Sequence, residues 1–119
     1  MASTHVIFLS FLHFLLLLSY LNHGECSGLT SCQKTWCVAK ASAEDRDLDD
    51  IIRFACSETN CDPIQADGPC FDPNTRISHA SVAMNLYYQS RGRNLWNCYF
   101  NGSGLIVLTD PSYGSCKYA

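Results

Sequence analysis

The chain has 119 residues, 47% of them apolar, with 8 Lys and Arg against 11 Asp and Glu, a net charge of −3. That length holds one small domain, with no room for a nucleotide-binding βαβ unit beside a substrate domain. The mildly acidic balance argues against a nucleic-acid partner, which calls for a basic face.

The first quarter differs from the rest. Residues 1–24 contain no Lys, Arg, Asp or Glu, and an apolar run extends from Val6 to Leu18 and on to Leu21. The run has the length of a signal-peptide core and is short for a membrane span of roughly 20 residues. Small residues follow at Gly24, Cys26 and Gly28. Residues 1–24 are expected to be a secretory signal, with cleavage as late as 28, although the usual basic start is missing; an N-terminal anchor helix is the alternative. Residues 25–35 then form a flexible lead-in and 36–118 the domain. The chain stops three residues after Cys116 without a polar spacer and apolar tail, so no lipid-anchor signal is expected. The product should be extracellular, monomeric and free of the membrane once the signal is removed.

Eight cysteines lie at 26, 32, 37, 56, 61, 70, 98 and 116. In a short secreted chain this density reads as a disulfide framework. Zinc is disfavoured, because no Cys-x-x-Cys pair occurs and His79 is the one histidine beyond residue 24. Spacing alone leaves the pairing open. Cys26 sits at the cleavage region; with it lost Cys32 is odd, and with it kept a local Cys26–Cys32 bridge is feasible. A lipid-transfer scaffold lacks its adjacent Cys-Cys and Cys-x-Cys elements.

The first element of the domain is announced by Ser42-Ala43-Glu44-Asp45, which has the form of a capping box with Ser42 as N-cap. Leu48, Ile51, Ile52 and Ala55 then recur with helical spacing, predicting a helix over 43–56. Its acids Glu44, Asp45 and Asp47 suit the positive end of the helix dipole. Residues 57–75 are rich in Asp-Pro and Asp-Gly turns and hold three cysteines in or beside them, so bridges must order this stretch. Asp62, Asp67 and Asp72 lack the spacing of a calcium loop, and no metal or cofactor is assigned.

A second helix is predicted from Asn74 or Ser78 to Arg91, with Ile77, Ala80, Met84, Tyr87 and Tyr88 as its apolar stripe and Gly92 as the residue that ends it. His79 near its start reads as structural, since no nucleophile elbow accompanies it. Leu95–Phe100 and Leu105–Thr109 flank the glycine-rich loop 101–104, which predicts a hairpin. Asn101-Gly102-Ser103 in that loop is an N-glycosylation acceptor. The fold class is therefore a small disulfide-rich α+β domain, with two packed α-helices, a short antiparallel β-hairpin and long coil.

No catalysis is expected. Glycoside hydrolysis needs two carboxylates facing across a cleft, whereas the acids here lie in a helix start and in turns. Ten aromatics remain beyond residue 24. They serve either packing alone or, where exposed, stacking against sugar rings.

Four stretches resemble a plant family of carbohydrate-binding modules, family 43 or the X8 domain. They are Thr35–Lys40, Cys70-Phe71-Asp72-Pro73-Asn74-Thr75, the run from His79 through Met84 and Tyr88 to Gln89, and Thr109-Asp110-Pro111-Ser112. The match spans roughly 36–118, and the short single-domain form is most similar to the olive-pollen-allergen type, the callose-binding type usually carrying an anchor signal. The resemblance implies non-catalytic binding of β-1,3-glucan in the cell wall, two helices packed at an angle, and the pairing Cys37–Cys98, Cys56–Cys61 and Cys70–Cys116. It also implies a link to glucanases, which carry such modules. The family commonly has Tyr where this chain has Val82, and Phe where it has Met84. The expected sugar-binding residues are Asn85, Tyr88 and Gln89 on the exposed side of the second helix, with nearby Asn74 and Asp110; a core role is the other reading of Tyr88. The rival function is a disulfide-stapled ligand for another wall protein or receptor, its glucan site lost with Val82, or a non-covalent accessory to a separate glucanase.

Overall fold

The computed structural model describes residues 2–22 and 33–119. These fall into two units, divided within the stretch that is not described. Cys26 and Cys32, and with them the expected local bridge and most of the lead-in, lie outside the described residues. The first unit is helix α1, Ala2–Asn22. Its side chains from Val6 to Leu18 are exposed. Among the described residues no helix is long and apolar enough to cross a membrane.

The second unit begins with strand β1, Trp36–Ala39, followed by helix α2, Asp45–Glu58, and helix α3, Arg76–Ser90. Strand β2, Gly104–Val107, pairs antiparallel with β1, Trp36 opposite Val107 and Ala39 opposite Gly104. The expected α+β class, its two helices and its long coil are all present. The hairpin is corrected: the antiparallel pair joins the two ends of the domain, and Leu95–Cys98 is a 3-10 turn. The strand at 104–107 has a better partner in β1, whose β-prone Trp36, Cys37 and Val38 make it the sheet's other half. Gly104 permits the approach, because a Cβ there would collide with the Cys98 carbonyl.

Helix α2 starts two residues later than its sequence suggests, with Glu44 as N-cap and no side-chain cap. The box at Ser42 does not form. Lys40 N–H is held by the Ser103 carbonyl at 2.8 Å, and Ala43 N–H then turns back onto the Lys40 carbonyl at 3.0 Å, which places Ser42 inside a turn. Helix α3 is capped by Thr75, whose hydroxyl accepts from Ser78 N–H at 3.2 Å. It ends at Gly92, φ 79°, the left-handed conformation that glycine adopts freely.

The two helices run in the same sense. Arg76 at the start of α3 pairs with Asp49 at 2.9 Å and Asp45 at 3.6 Å, both at the start of α2. Arg91 at the end of α3 pairs with Glu58 at the end of α2, at 2.8 Å. The connection must therefore carry the chain back along α2, about 21 Å for 14 residues. It does so with one 3-10 turn, Asp62–Ile64, and with bridges: Cys56–Cys61 at its entrance and Cys70–Cys116 at its exit. Among the described residues the third bridge is Cys37–Cys98. All three match the pairing that the resemblance implied.

Helix α3 lies between two small cores. Ala80, Met84 and Tyr88 face one of them, with Cys37, Ala39, Leu48, Ile51 and Cys98. Val82 and Ala83 face the other, with Ala55, Cys61, Ile64, Cys70 and Cys116. Neither cluster is large, and each holds bridge sulfurs. Loop closure over sequence separations of 61 and 46 residues contributes about 4 kcal/mol apiece, and over 5 residues about 2 kcal/mol.

Being buried on two sides, α3 must carry its polar groups inward. The N–H groups of β1 that point away from β2 are taken by α3 side chains: Cys37 N–H by Asn85 Oδ1 at 3.1 Å, and Ala39 N–H by Ser81 Oγ at 3.0 Å. Asn85 Nδ2 also donates to the Ala119 oxygen at 3.1 Å. Replacing Asn85 by Leu keeps the volume but strands the buried Cys37 N–H, which costs about 1–3 kcal/mol, whereas the exposed Ala119 can turn to water. Asn85→Leu is expected to lower the unfolding free energy by about 1–3 kcal/mol, read as a fall in the urea midpoint at unchanged slope; an unshifted midpoint refutes this role.

Candidate functional site: an aromatic platform and a polar groove

The residues expected to bind sugar are not brought together. Asn85 is 1% exposed and Tyr88 0%, so the expected exposed row on α3 is corrected at both positions. The Tyr88 hydroxyl is 2.7 Å from Thr35 Oγ1. Gln89 is half-buried and points its amide at home: Nε2 donates to the Thr35 carbonyl at 2.9 Å and to Asn85 Oδ1 at 3.2 Å. These three side chains tie the chain before β1 to α3. Val82 is also interior, 4% exposed. A Tyr there would alter the second core, not a surface that stacks on sugar.

Asn74 and Asp110 are exposed but stand in different settings. Asp110 accepts from Ser112 Oγ at 2.6 Å and Ser112 N–H at 2.9 Å. The Ser112 hydroxyl, then its backbone N–H, hold the Asp110 carboxyl below its ordinary value, helped by Lys34 and Lys117. Ser112 Oγ in turn accepts from Tyr118 N–H at 2.9 Å, so this carboxylate organises the final turn.

Asn74 lines a groove of about 710 Å³ between the starts of α2 and α3. Leu48, Ile52 and Ile77 give the groove aliphatic walls; Asp45, Asp49, Arg76 and His79 supply polar ones. The acids are engaged by Arg76. His79 donates from Nε2 to the Phe71 carbonyl at 2.6 Å, with its ring 5.5 Å from that of Phe71. This is the structural histidine expected, with its proton committed to a backbone oxygen.

The surface that sequence reasoning missed lies in the 3-10 turn. Leu95, Trp96 and Tyr99 are 68%, 73% and 65% exposed, consecutive turns of chain presenting large apolar side chains to water. Residues three apart eclipse in a 3-10 helix, and Tyr99 N–H reaches back to the Trp96 carbonyl at 3.4 Å. Trp96 and Tyr99 thus lie on one side of the turn, while Cys98 between them is buried in its bridge. The spacing of the two aromatics was the available signal. It was hidden by reading the segment as a strand, where residues three apart face opposite ways.

A bridge-stapled domain whose interior polar groups hold its own backbone, and whose surface offers an aromatic pair and a shallow groove, is built as a binding module. The chain belongs to the X8 domain family of carbohydrate-binding modules, whose model matches residues 35–105. It is 52% identical over 91 residues to Major pollen allergen Ole e 10 of Olea europaea, covering 75% of this chain and 74% of that protein. Plasmodesmata callose-binding protein 5 of Arabidopsis thaliana is 42% identical over 85 residues, 70% of this chain and 47% of that one. A glucan endo-1,3-beta-glucosidase of Triticum aestivum is 49% identical over 83 residues, 70% of this chain but only 18% of the enzyme.

The phenol of Tyr118, near the end of the chain, is pushed up to about 12 from 10.0, by burial and then by Tyr113. Burial favours the neutral form, so its contribution to stability is complete below pH 10 and lost as pH rises from about 10 to about 12. Stability is expected to fall across that window and to fall less in Tyr118→Phe; identical alkaline profiles for the two proteins refute the assignment.

Proposed function

We propose that the protein binds β-1,3-glucan of the plant cell wall without cleaving it, and that Trp96 and Tyr99 form the contact surface. The observation that carries this reading is their exposure. Burying such rings against a partner removes apolar area from water at roughly 25 cal/mol per Å², and nothing within the second unit does so. A sugar ring offers a C–H face to an aromatic plane and hydroxyls at its edge, matching the amphipathic character of Trp and Tyr. Arg93 and Asn97, next to the platform in the chain, supply donors for those hydroxyls. The names of the Arabidopsis and wheat relatives, callose-binding and endo-1,3-beta-glucosidase, support glucan as the carbohydrate.

Binding without cleavage accords with the carboxylates. A hydrolase needs one acid held protonated, whereas Asp110 is shifted the other way and Asp45 and Asp49 face Arg76. Residues 1–24 act in this reading as the secretory signal, with cleavage as late as 28; the charge-free apolar helix α1 supports it. The secreted module acts as a monomer. A second reading, an accessory to a separate glucanase, is favoured by the wheat enzyme, which carries the matched stretch within a chain of which it is 18%.

Oxidised wild-type protein should be retained on insoluble β-1,3-glucan and pass through cellulose. Trp96→Ala and Tyr99→Ala should each weaken retention about tenfold, or about 1.4 kcal/mol, with an unchanged melting temperature. Full retention of the double variant would move the site to the groove at Asn74. Failure of the wild-type protein to bind would sink the glucan reading and turn attention to a protein partner.

A further inference from the structure

Phe100, Asn101 and Gly102 have φ of 42°, 55° and 88°. Glycine adopts this left-handed region freely and asparagine readily, but a bulky phenylalanine does so only when its surroundings compel it. Here they do. The Phe100 ring lies 5.8 Å from Tyr87 and 6.5 Å from Phe54, and Phe54 lies 5.1 Å from Tyr87, all edge-on. The strained turn carries Asn101 to the rim of a cleft of about 290 Å³, bounded by Asp47, Asp50, Phe54 and Phe100. Phe54 stands 46% exposed in that cleft, on the same turn of α2 as Asp50 and Arg53. The cleft is at the lower edge of the roughly 300–1,000 Å³ of drug-sized ligand sites, a size for one sugar ring and not for a chain.

We propose that Asn101 carries an N-linked glycan and that its first N-acetylglucosamine seats in this cleft against Phe54. The side chain that would bear the sugar borders the cleft itself, so the occupant is delivered by its own covalent bond. In the attachment step Asn101 Nδ2 bonds to the anomeric carbon of a lipid-diphosphate-linked oligosaccharide, the lipid diphosphate leaves with the bonding electrons, and Nδ2 gives up one proton. The seated sugar presents its acetyl methyl and C–H face to the ring of Phe54, while Asp47 and Asp50 accept from its N–H and hydroxyls. Attachment precedes folding: in the finished domain Ser103 of the acceptor sequence is buried and its carbonyl is held by Lys40 N–H. The inference rests on secretion, because the transfer takes place in the secretory pathway.

The full chain is expressed in a yeast secretion host, wild-type and Phe54→Leu, and each product is melted before and after enzymatic removal of glycan. The expected result is protein in the medium with carbohydrate mass on the peptide holding Asn101, a melting temperature that drops by about 4 °C on deglycosylation, and a drop at most a quarter as large in Phe54→Leu. Comparing each variant with its own stripped form cancels any loss from the substitution itself. Secreted protein without carbohydrate at Asn101 overturns the proposal while leaving secretion intact. Equal drops in both proteins overturn the seat at Phe54. Unprocessed protein retained in the cells overturns the secretory reading and this proposal together.

Discussion

One side chain makes the arrangement of the domain possible. Asn85, buried in the middle of α3, accepts from Cys37 N–H on the free edge of β1 and donates to Ala119. A two-stranded sheet has two edges, and an isolated pair of strands is at best marginal in water. By capping one edge from a helix, through Asn85 and Ser81, the chain converts that edge into an interior surface. With the edge satisfied, α3 can press against β1 closely enough to enclose Met84 and Tyr88. The helix then has its opposite face free for a second core, which the central loop covers.

This explains why α3 is so difficult to read. An amphipathic helix shows its buried side by periodicity, and α2 does: of the expected Leu48, Ile51, Ile52 and Ala55, three are buried and Ile52 is half-buried. In α3 the buried set is Ala80 through Asn85 and Tyr88, nearly all round the helix and partly polar. A buried Asn paired with a backbone edge looks, in one dimension, like an exposed Asn waiting for a ligand. Tyr88 and Gln89 mislead for the same reason, since their hydrogen bonds to Thr35 are made with a segment more than fifty residues away. Local pattern carried the helices and the turn-rich loop, and family resemblance carried the bridges. Neither contains the partner of a four-residue strand, because pairing the two ends of a domain depends on contacts that no local window holds.

The two cores divide the work of a chain too small for one large interior. Each encloses a handful of apolar side chains, and each is crossed by a covalent link between distant segments. Chain-entropy terms of several kcal/mol are comparable with the whole stability of an ordinary domain. The bridges therefore free surface residues from any duty to the core. Trp96 and Tyr99 can remain in water because Cys98 between them already anchors the turn. The ion pairs of Arg76 and Arg91, exposed and screened, add register between the helices more than strength.

The position of Cys98 inside the aromatic turn also fixes how the molecule answers a pull. Tension applied at Trp96 enters the domain at Cys98 and crosses the sulfur bridge to Cys37 in β1, while the share taken by Tyr99 also passes through its carbonyl to Gly104 at the start of β2. From Cys37 it spreads through Asn85 into the axis of α3. Part of the load is thus carried by a covalent bond and not by the contacts of the first core alone. A module gripping a stretched polymer by this face would meet the pull with a covalent link set across its sheet.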